Sequence, residues 1–240
     1  MWAAGGGRQA AGGRRLGIFA KTYARPTVEE VFDAVAADGF AAVHFNVASA
    51  GLPSLPESVA PALLTRIRSA ADARGIGIET LSGTFNMIHP DPAVRRHGLD
   101  RLRVLAAACA GLGTRIVTLC TGTRDPENMW RHHPDNVTDA AWHDLLTSMT
   151  EAAGIAEERG IMLGIEPEPG NVVSSAERAR RLLDGIGSDA LGIVLDPANL
   201  IEGIPPDRID AVIDDAFALL GGRTISAHGK DRGMGGAVVS

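Results

Sequence analysis

Gly164-Ile165-Glu166-Pro167-Glu168-Pro169-Gly170-Asn171 closes the apolar run of residues 161–165. That run is short and continuous, the pattern of a strand buried on both faces. It stops abruptly at a carboxylate and then meets two prolines and a glycine. Proline lacks a backbone donor and glycine permits unusual torsions, so the strand must end here. Glu166 is therefore expected at the C-terminal end of an interior strand. In parallel α/β folds that end is where ligands bind.

The same design repeats on both sides of this stretch. Apolar runs at residues 16–20, 41–45, 77–81, 115–119, 191–195 and 223–227 read as six further strands. Helical patterns lie between them. Thr27 with Glu30 three residues on is a capping box, and Val28, Val31, Phe32 and Val35 give the helix that follows one apolar face. Further helices are expected over about 56–74, 92–111, 138–159, 175–186 and 206–220. Glycines stand just before the strands, at Gly39, Gly75, Gly113, Gly160, Gly187 and Gly222. Strict βα alternation with apolar strands argues for a parallel sheet with helices outside it.

Seven strands in this order suggest a (β/α)8 barrel rather than an open doubly wound sheet. An open sheet would advertise a phosphate-binding glycine loop, and neither Gly5-Gly6-Gly7 nor the glycines at 233–236 precede a helix. A closed barrel needs eight strands. The expected fold is thus an incomplete α/β barrel with strand eight missing, for which truncation is the favoured explanation. Residues 1–15, rich in Gly, Ala and Arg, read as a flexible tail, and 16–240 as a single domain.

Composition narrows the function classes. In 240 residues, 45% are hydrophobic, which supports a sizeable core. A net charge of −6 argues against a nucleic-acid-coating protein. No run approaches the ~18 apolar residues of a membrane span, and the N-terminus lacks the apolar core of a secretory signal. Cys109 and Cys120 form no CxxC pair, so a cysteine zinc site or disulfide framework is not expected, and two reduced thiols in a cytoplasmic protein are.

Three successive strands end in residues that bind metals: Glu166, Asp196 and His228. Each alone has a plainer reading. A carboxylate at a strand end caps a helix or faces water, Asp196-Pro197 starts a turn, and His228 fits a core. Together they would line one arc of a barrel mouth. Two carboxylates and an imidazole suit Mn²⁺, Mg²⁺, Co²⁺ or Zn²⁺. Lys230 is a candidate to steady an oxyanion or to pair with Asp231. Glu168 is a candidate to orient a ligand from behind it. Asn86 and His89, above strand three, are candidates for binding substrate hydroxyls. Trp130, in the loop of residues 120–136 with Arg124, His132 and His133, is a candidate to cover an apolar face of a ligand.

Ile165-Glu166-Pro167, Val194-Leu195-Asp196-Pro197-Ala198-Asn199-Leu200 and Ala227-His228-Gly229-Lys230-Asp231 resemble the xylose-isomerase-like sugar phosphate isomerase/epimerase superfamily. So do Gly83-Thr84-Phe85-Asn86 with His89-Pro90-Asp91, and the loop from Gly122 through Trp130. The resemblance covers residues 16–232. It implies a TIM-type barrel holding one divalent ion by Glu166, Asp196, His228 and a fourth glutamate on strand eight, which has no counterpart here. It also implies an isomerase or epimerase acting through an enediolate on a sugar or polyol, with Glu166 as the catalytic carboxylate and Asn199 among the substrate-binding residues. An inosose-type dehydratase and a catalytically impaired sugar-binding protein are the alternatives. The superfamily also contains DNA-repair endonucleases with three zinc ions, but these carry a histidine where this chain has Asn199. No nucleic-acid or membrane partner is expected, and a homo-oligomer is left open.

Overall fold

The computed structural model describes residues 15–232 and 238–239. The expected N-terminal tail, residues 1–15, lies outside the described residues except for Arg15, which pairs with Glu79 at 3.3 Å. In chain order the principal elements are β1 (Gly17–Phe19), α1 (Val28–Ala37), β2 (Ala42–Phe45), α2 (Pro61–Asp72), β3 (Gly77–Ser82), α3 (Pro92–Leu112), β4 (Ile116–Leu119), α4 (Asp139–Arg159), β5 (Met162–Ile165), α5 (Ala176–Ile186), β6 (Leu191–Leu195), the single-turn α6 (Pro197–Leu200), α7 (Ile209–Leu220) and β7 (Thr224–Ala227). The strands follow one another in chain order, β1 through β7, in a seven-stranded sheet. The pairings β1·β2, β2·β3, β5·β6 and β6·β7 are parallel. This is the βα alternation of a (β/α)8 barrel carried through seven strands. Among the described residues no eighth strand joins that sheet; Asp231–Arg232 pairs instead with Val238–Val239 in a separate antiparallel ladder.

Two compact units can be distinguished, residues 1–83 with 104–117 and residues 84–103 with 118–240. In the first, Thr27 Oγ1 accepts from Glu30 N at 3.3 Å and starts α1. The α1 stripe Val28, Val31, Phe32 and Val35 is buried, and Phe32 stacks on Phe45 of β2 with ring centroids 5.8 Å apart. Glu29 takes both ends of the Arg66 guanidinium at 2.7 Å, tying α1 to α2. Helix α2 begins at Pro61, five residues later than expected. A helix from residue 56 would carry Pro61 in its interior, where the ring clashes with the preceding turn. At the first helical position the missing N–H costs nothing.

In the second unit β6 is buried along its whole length and β5 at Leu163, Gly164 and Ile165. Ile225 of β7 is half-buried, because Gly192 leaves it room: a Cβ there would come within 2.7 Å of Ile225 Cγ2. Ser175 caps α5, accepting from Arg178 N at 3.3 Å. The expected sixth helix is split, with Pro206–Arg208 forming a 3₁₀ turn before α7. Of the glycines expected before strands, Gly39, Gly75, Gly113, Gly160 and Gly187 have positive φ; Gly222 does not, since α7 runs into a 3₁₀ turn over Gly221–Arg223. Among the described residues no helix is long and apolar enough to cross a membrane. Cys109 and Cys120 are buried free thiols.

Candidate metal centre

Three strands of the second unit deliver their next residue to one place. Glu166 follows β5 and stays on the sheet for one more bond, its N–H donating to Leu119 O at 2.9 Å. Pro167 then ends the strand. His228 follows β7 in the same way, donating to Leu195 O at 2.9 Å. Asp196 follows β6 and caps α6: its Oδ1 accepts from Ala198 N at 3.0 Å. The plain reading of Asp196 as a helix cap is thus correct for one oxygen. The other, Oδ2, is buried.

One ligand atom from each of Glu166, Asp196 and His228 lies within 4.8 Å of the other two. His228 Nδ1 stands 3.1 Å from Glu166 Oε1 and 3.8 Å from Asp196 Oδ2. Around an ion with bonds of about 2.1 Å, neighbouring ligand atoms stand roughly 3 Å apart, so small rotamer adjustments suffice. Burial of a carboxylate oxygen without a hydrogen bond is costly unless a cation compensates it. The donor set and the spacing fit a divalent cation. Asn199, on α6, donates through Nδ2 to Glu166 Oε1 at 3.1 Å and to Pro167 O at 3.2 Å, fixing the carboxylate from behind. Lys230 brings Nζ to 2.7 Å from Asp196 Oδ2 and 3.7 Å from Glu166 Oε1.

The packed charges shift one another. Burial raises the Asp196 carboxyl above the usual range, against the pull of Lys230. Burial disfavours the charged form of His228, but its hydrogen bond to Glu166 and the charges of Glu166 and Asp196 outweigh this and raise it. Glu168 is pushed up to about 7, first by burial and then by the Glu166 charge, with Lys230 opposing. Glu168 also lines a cavity of about 410 Å³ with Trp130, His132, Pro169, Gly170 and Glu202. None of the three clustered residues lines that cavity; Glu168 is the link between them.

The loop that carries Trp130 is held by side chains of the opening stretch and of the segment after β3. Asn171 Oδ1 accepts from Gly122 N at 2.7 Å, and its Nδ2 donates to Met129 O at 3.0 Å. Asn86 Nδ2 donates to Thr123 O at 2.8 Å, and Oδ1 accepts from Thr123 N at 3.0 Å. Within the loop, Asp125 is 5% exposed and accepts from Glu127 N and Asn128 N at 2.9 Å and from Arg131 Nη2 at 2.9 Å. The Arg131 guanidinium, helped by those amides, holds the Asp125 carboxyl well below the usual carboxylate range. A depressed carboxyl contributes stability that is present above its unfolded value, about 3.9, and is lost as pH falls through the folded value. Asp125→Asn should therefore melt below the parent at pH 7, with the gap closing as the pH is lowered below about 4. A gap of equal size at pH 7 and pH 3 in circular-dichroism melts would show that the charge is not what holds this loop.

The structure thus brings together Glu166, Asp196, His228, Asn199 and Lys230, and sets Glu168 and Trp130 on the adjoining cavity. Asn86 and His89 do not line that cavity. Both polar groups of Asn86 are spent on loop backbone. His89 Nδ1 accepts from Asp91 N at 3.0 Å, and its Nε2 meets Pro126 O at 3.1 Å. Lys230 pairs with Asp196 and Glu166, while the Asp231 side chain lies outside the described residues. Glu202, on the cavity wall, carried no signal in the sequence. His132, also on that wall, was marked only by its place in the long loop beside Trp130.

A family model described as xylose isomerase-like TIM barrel matches residues 32–231. Among solved structures, 3-keto-D-glucoside 4-epimerase from E. coli superposes with a TM-score of 0.65 at 16% identity, covering 85% of this chain and 74% of its own. A probable 3-DHS dehydratase from Bacillus anthracis gives 0.70 at 12% identity, covering 90% and 73%. IOLI protein with a bound zinc atom gives 0.65 at 16%, also covering 90% and 73%. No curated protein matches the sequence.

Proposed function

The chain belongs to the xylose isomerase-like TIM barrel family, and from that premise we propose that it is a divalent-cation-dependent isomerase or epimerase, transferring a proton beside the carbonyl of a sugar or polyol ketone. The observation that carries this reading is the convergence of Glu166, Asp196 and His228 next to a cavity lined by Glu168. The three residues would hold Mn²⁺, Mg²⁺, Co²⁺ or Zn²⁺. When bound, such an ion supplies charge stabilisation for the enediolate formed as the proton leaves. The epimerase among the structural relatives and the zinc bound in another support the reading.

The chain's own groups do the rest. Glu166 takes the proton from the carbon next to the carbonyl, its Oε1 held by Asn199. Glu168 offers a second carboxyl on the cavity wall to return it. Trp130 offers an indole to an apolar sugar face. His132 and Glu202 offer hydrogen-bonding groups to hydroxyls.

The test is solvent deuterium exchange into a panel of free and phosphorylated ketoses and inososes, with each of the four cations and with chelator. Exchange at the carbon beside the carbonyl, dependent on the cation, is expected for at least one member of the panel. Loss of water to an ultraviolet-absorbing enone instead would move the assignment to a dehydratase, the activity in the name of the Bacillus anthracis relative. Neither exchange nor elimination with any cation would overturn the enzyme reading.

A further inference from the structure

We propose that Lys230 is a built-in cation of the metal centre: its ammonium neutralises Asp196 and Glu166, and a divalent ion binds by displacing it. The inference rests on the metal-site reading above and adds an occupant to that site. Lys230 Nζ lies 2.7 Å from Asp196 Oδ2 and 3.7 Å from Glu166 Oε1. These are two of the oxygens that converge on the candidate site. A divalent ion would need Oδ2 at about 2.0–2.6 Å. An ammonium at 2.7 Å from the same oxygen competes with the ion for it, positive against positive.

The ammonium is there for a physical reason. Asp196 has a fully buried side chain. An uncompensated buried carboxylate is strongly unfavourable, and Glu166 and Glu168 add like charge nearby. His228 Nδ1 is spent on Glu166 at 3.1 Å and stands 3.8 Å from Oδ2. Lys230 comes closest to Oδ2, at 2.7 Å against 3.8 Å for His228.

The residue type also fits displacement. Of the 23 Lys and Arg residues only two, Lys21 and Lys230, are lysines. An arginine here would grip the carboxylates through a rigid fork, whereas lysine presents a point charge on a flexible four-carbon stem. The Lys230 side chain is 30% exposed, so it has a route to solvent. Gly229 beside it has nothing within 4 Å of where a Cβ would stand.

The experiment compares the full chain with Lys230→Met at one pH. Mn²⁺ affinity is read by titration calorimetry, and melting temperature is measured in chelator and in saturating Mn²⁺. Mn²⁺ should bind about ten- to a hundredfold more tightly to the variant, because the competing charge is gone. The variant should melt lower than the parent in chelator and level with it in Mn²⁺. A lysine with a merely structural role would lower both melts equally and leave affinity unchanged, which would overturn the proposal while the metal reading stands. Absence of cation binding by either protein would overturn both. Binding by the variant alone would support displacement and show that the native lysine outcompetes the ion. Should the variant fail to fold, acetylation of the unmodified protein gives a second measurement, with the exposed Lys21 as internal reference. Mn²⁺ should speed labelling of Lys230 relative to Lys21; an unchanged ratio would count against the proposal.

Discussion

Glu166→Gln is expected to reduce cation-dependent solvent exchange by about 10²–10⁴-fold, the contribution of a positioned acid–base group. Glutamine keeps the shape, and Asn199 can still donate to its amide oxygen. What disappears is the charge that takes the proton and that pairs with His228 and Lys230. A loss caused by misfolding would look similar in turnover alone, so far-UV circular dichroism and the chelator melt accompany the assay. Retention of more than roughly a tenth of the parent exchange rate with an intact fold would remove Glu166 from the proton-transfer role, since a positioned base typically contributes about 10²-fold or more.

Gly122→Ala is expected to destabilise the protein by about 3–5 kcal/mol, from left-handed backbone strain and broken buried hydrogen bonds together. Gly122 has φ +76°, and a Cβ built on it would lie 2.0 Å from Asn86 Oδ1 and 2.9 Å from Asn86 Cα. The carbonyl oxygen cannot remain where it accepts from Thr123 N and Ile88 N. Gly154→Ala is the matched control. That glycine lies inside α4 with nothing within 4 Å of a would-be Cβ, so alanine should stabilise by up to about 1 kcal/mol. Urea denaturation of the three proteins gives both differences. Equal midpoints for the parent and Gly122→Ala would mean that the Asn86 contact is soft and does not anchor the loop.

Strand ends were legible because their causes are local. Ile165-Glu166-Pro167 stops a strand by its own chemistry, and so does Leu195-Asp196-Pro197; both stops fall where the residues put them. Helix α2 starts at Pro61 rather than at residue 56, although proline's place in a first turn was itself in the sequence. The partners of side chains across the sheet were not legible. Nothing within Val194 to Leu200 says that Asn199 reaches Glu166, more than thirty residues away in the chain; that depends on the register of β5 on β6 and on a one-turn helix. Asn86 and His89 sit at the top of a strand, as a ligand-binding residue should, yet their polar atoms serve the loop backbone. Position along a strand gives location, while hydrogen-bond bookkeeping decides employment.

The contacts among Glu166, Asn199, Asp196 and Lys230 close on themselves. Glu166 is held by Asn199, Asn199 rides on the turn that Asp196 caps, Asp196 meets Lys230, and Lys230 faces Glu166 again. A chain of dependencies has a weakest end, but a loop has none. Paired substitutions around it should therefore fail to add, since neighbouring members share partners. Over evolutionary time such a loop resists drift one residue at a time. A lineage changing its chemistry would have to replace several of these positions together, so mixed versions of this quartet should be scarcer among descendants than wholesale replacement.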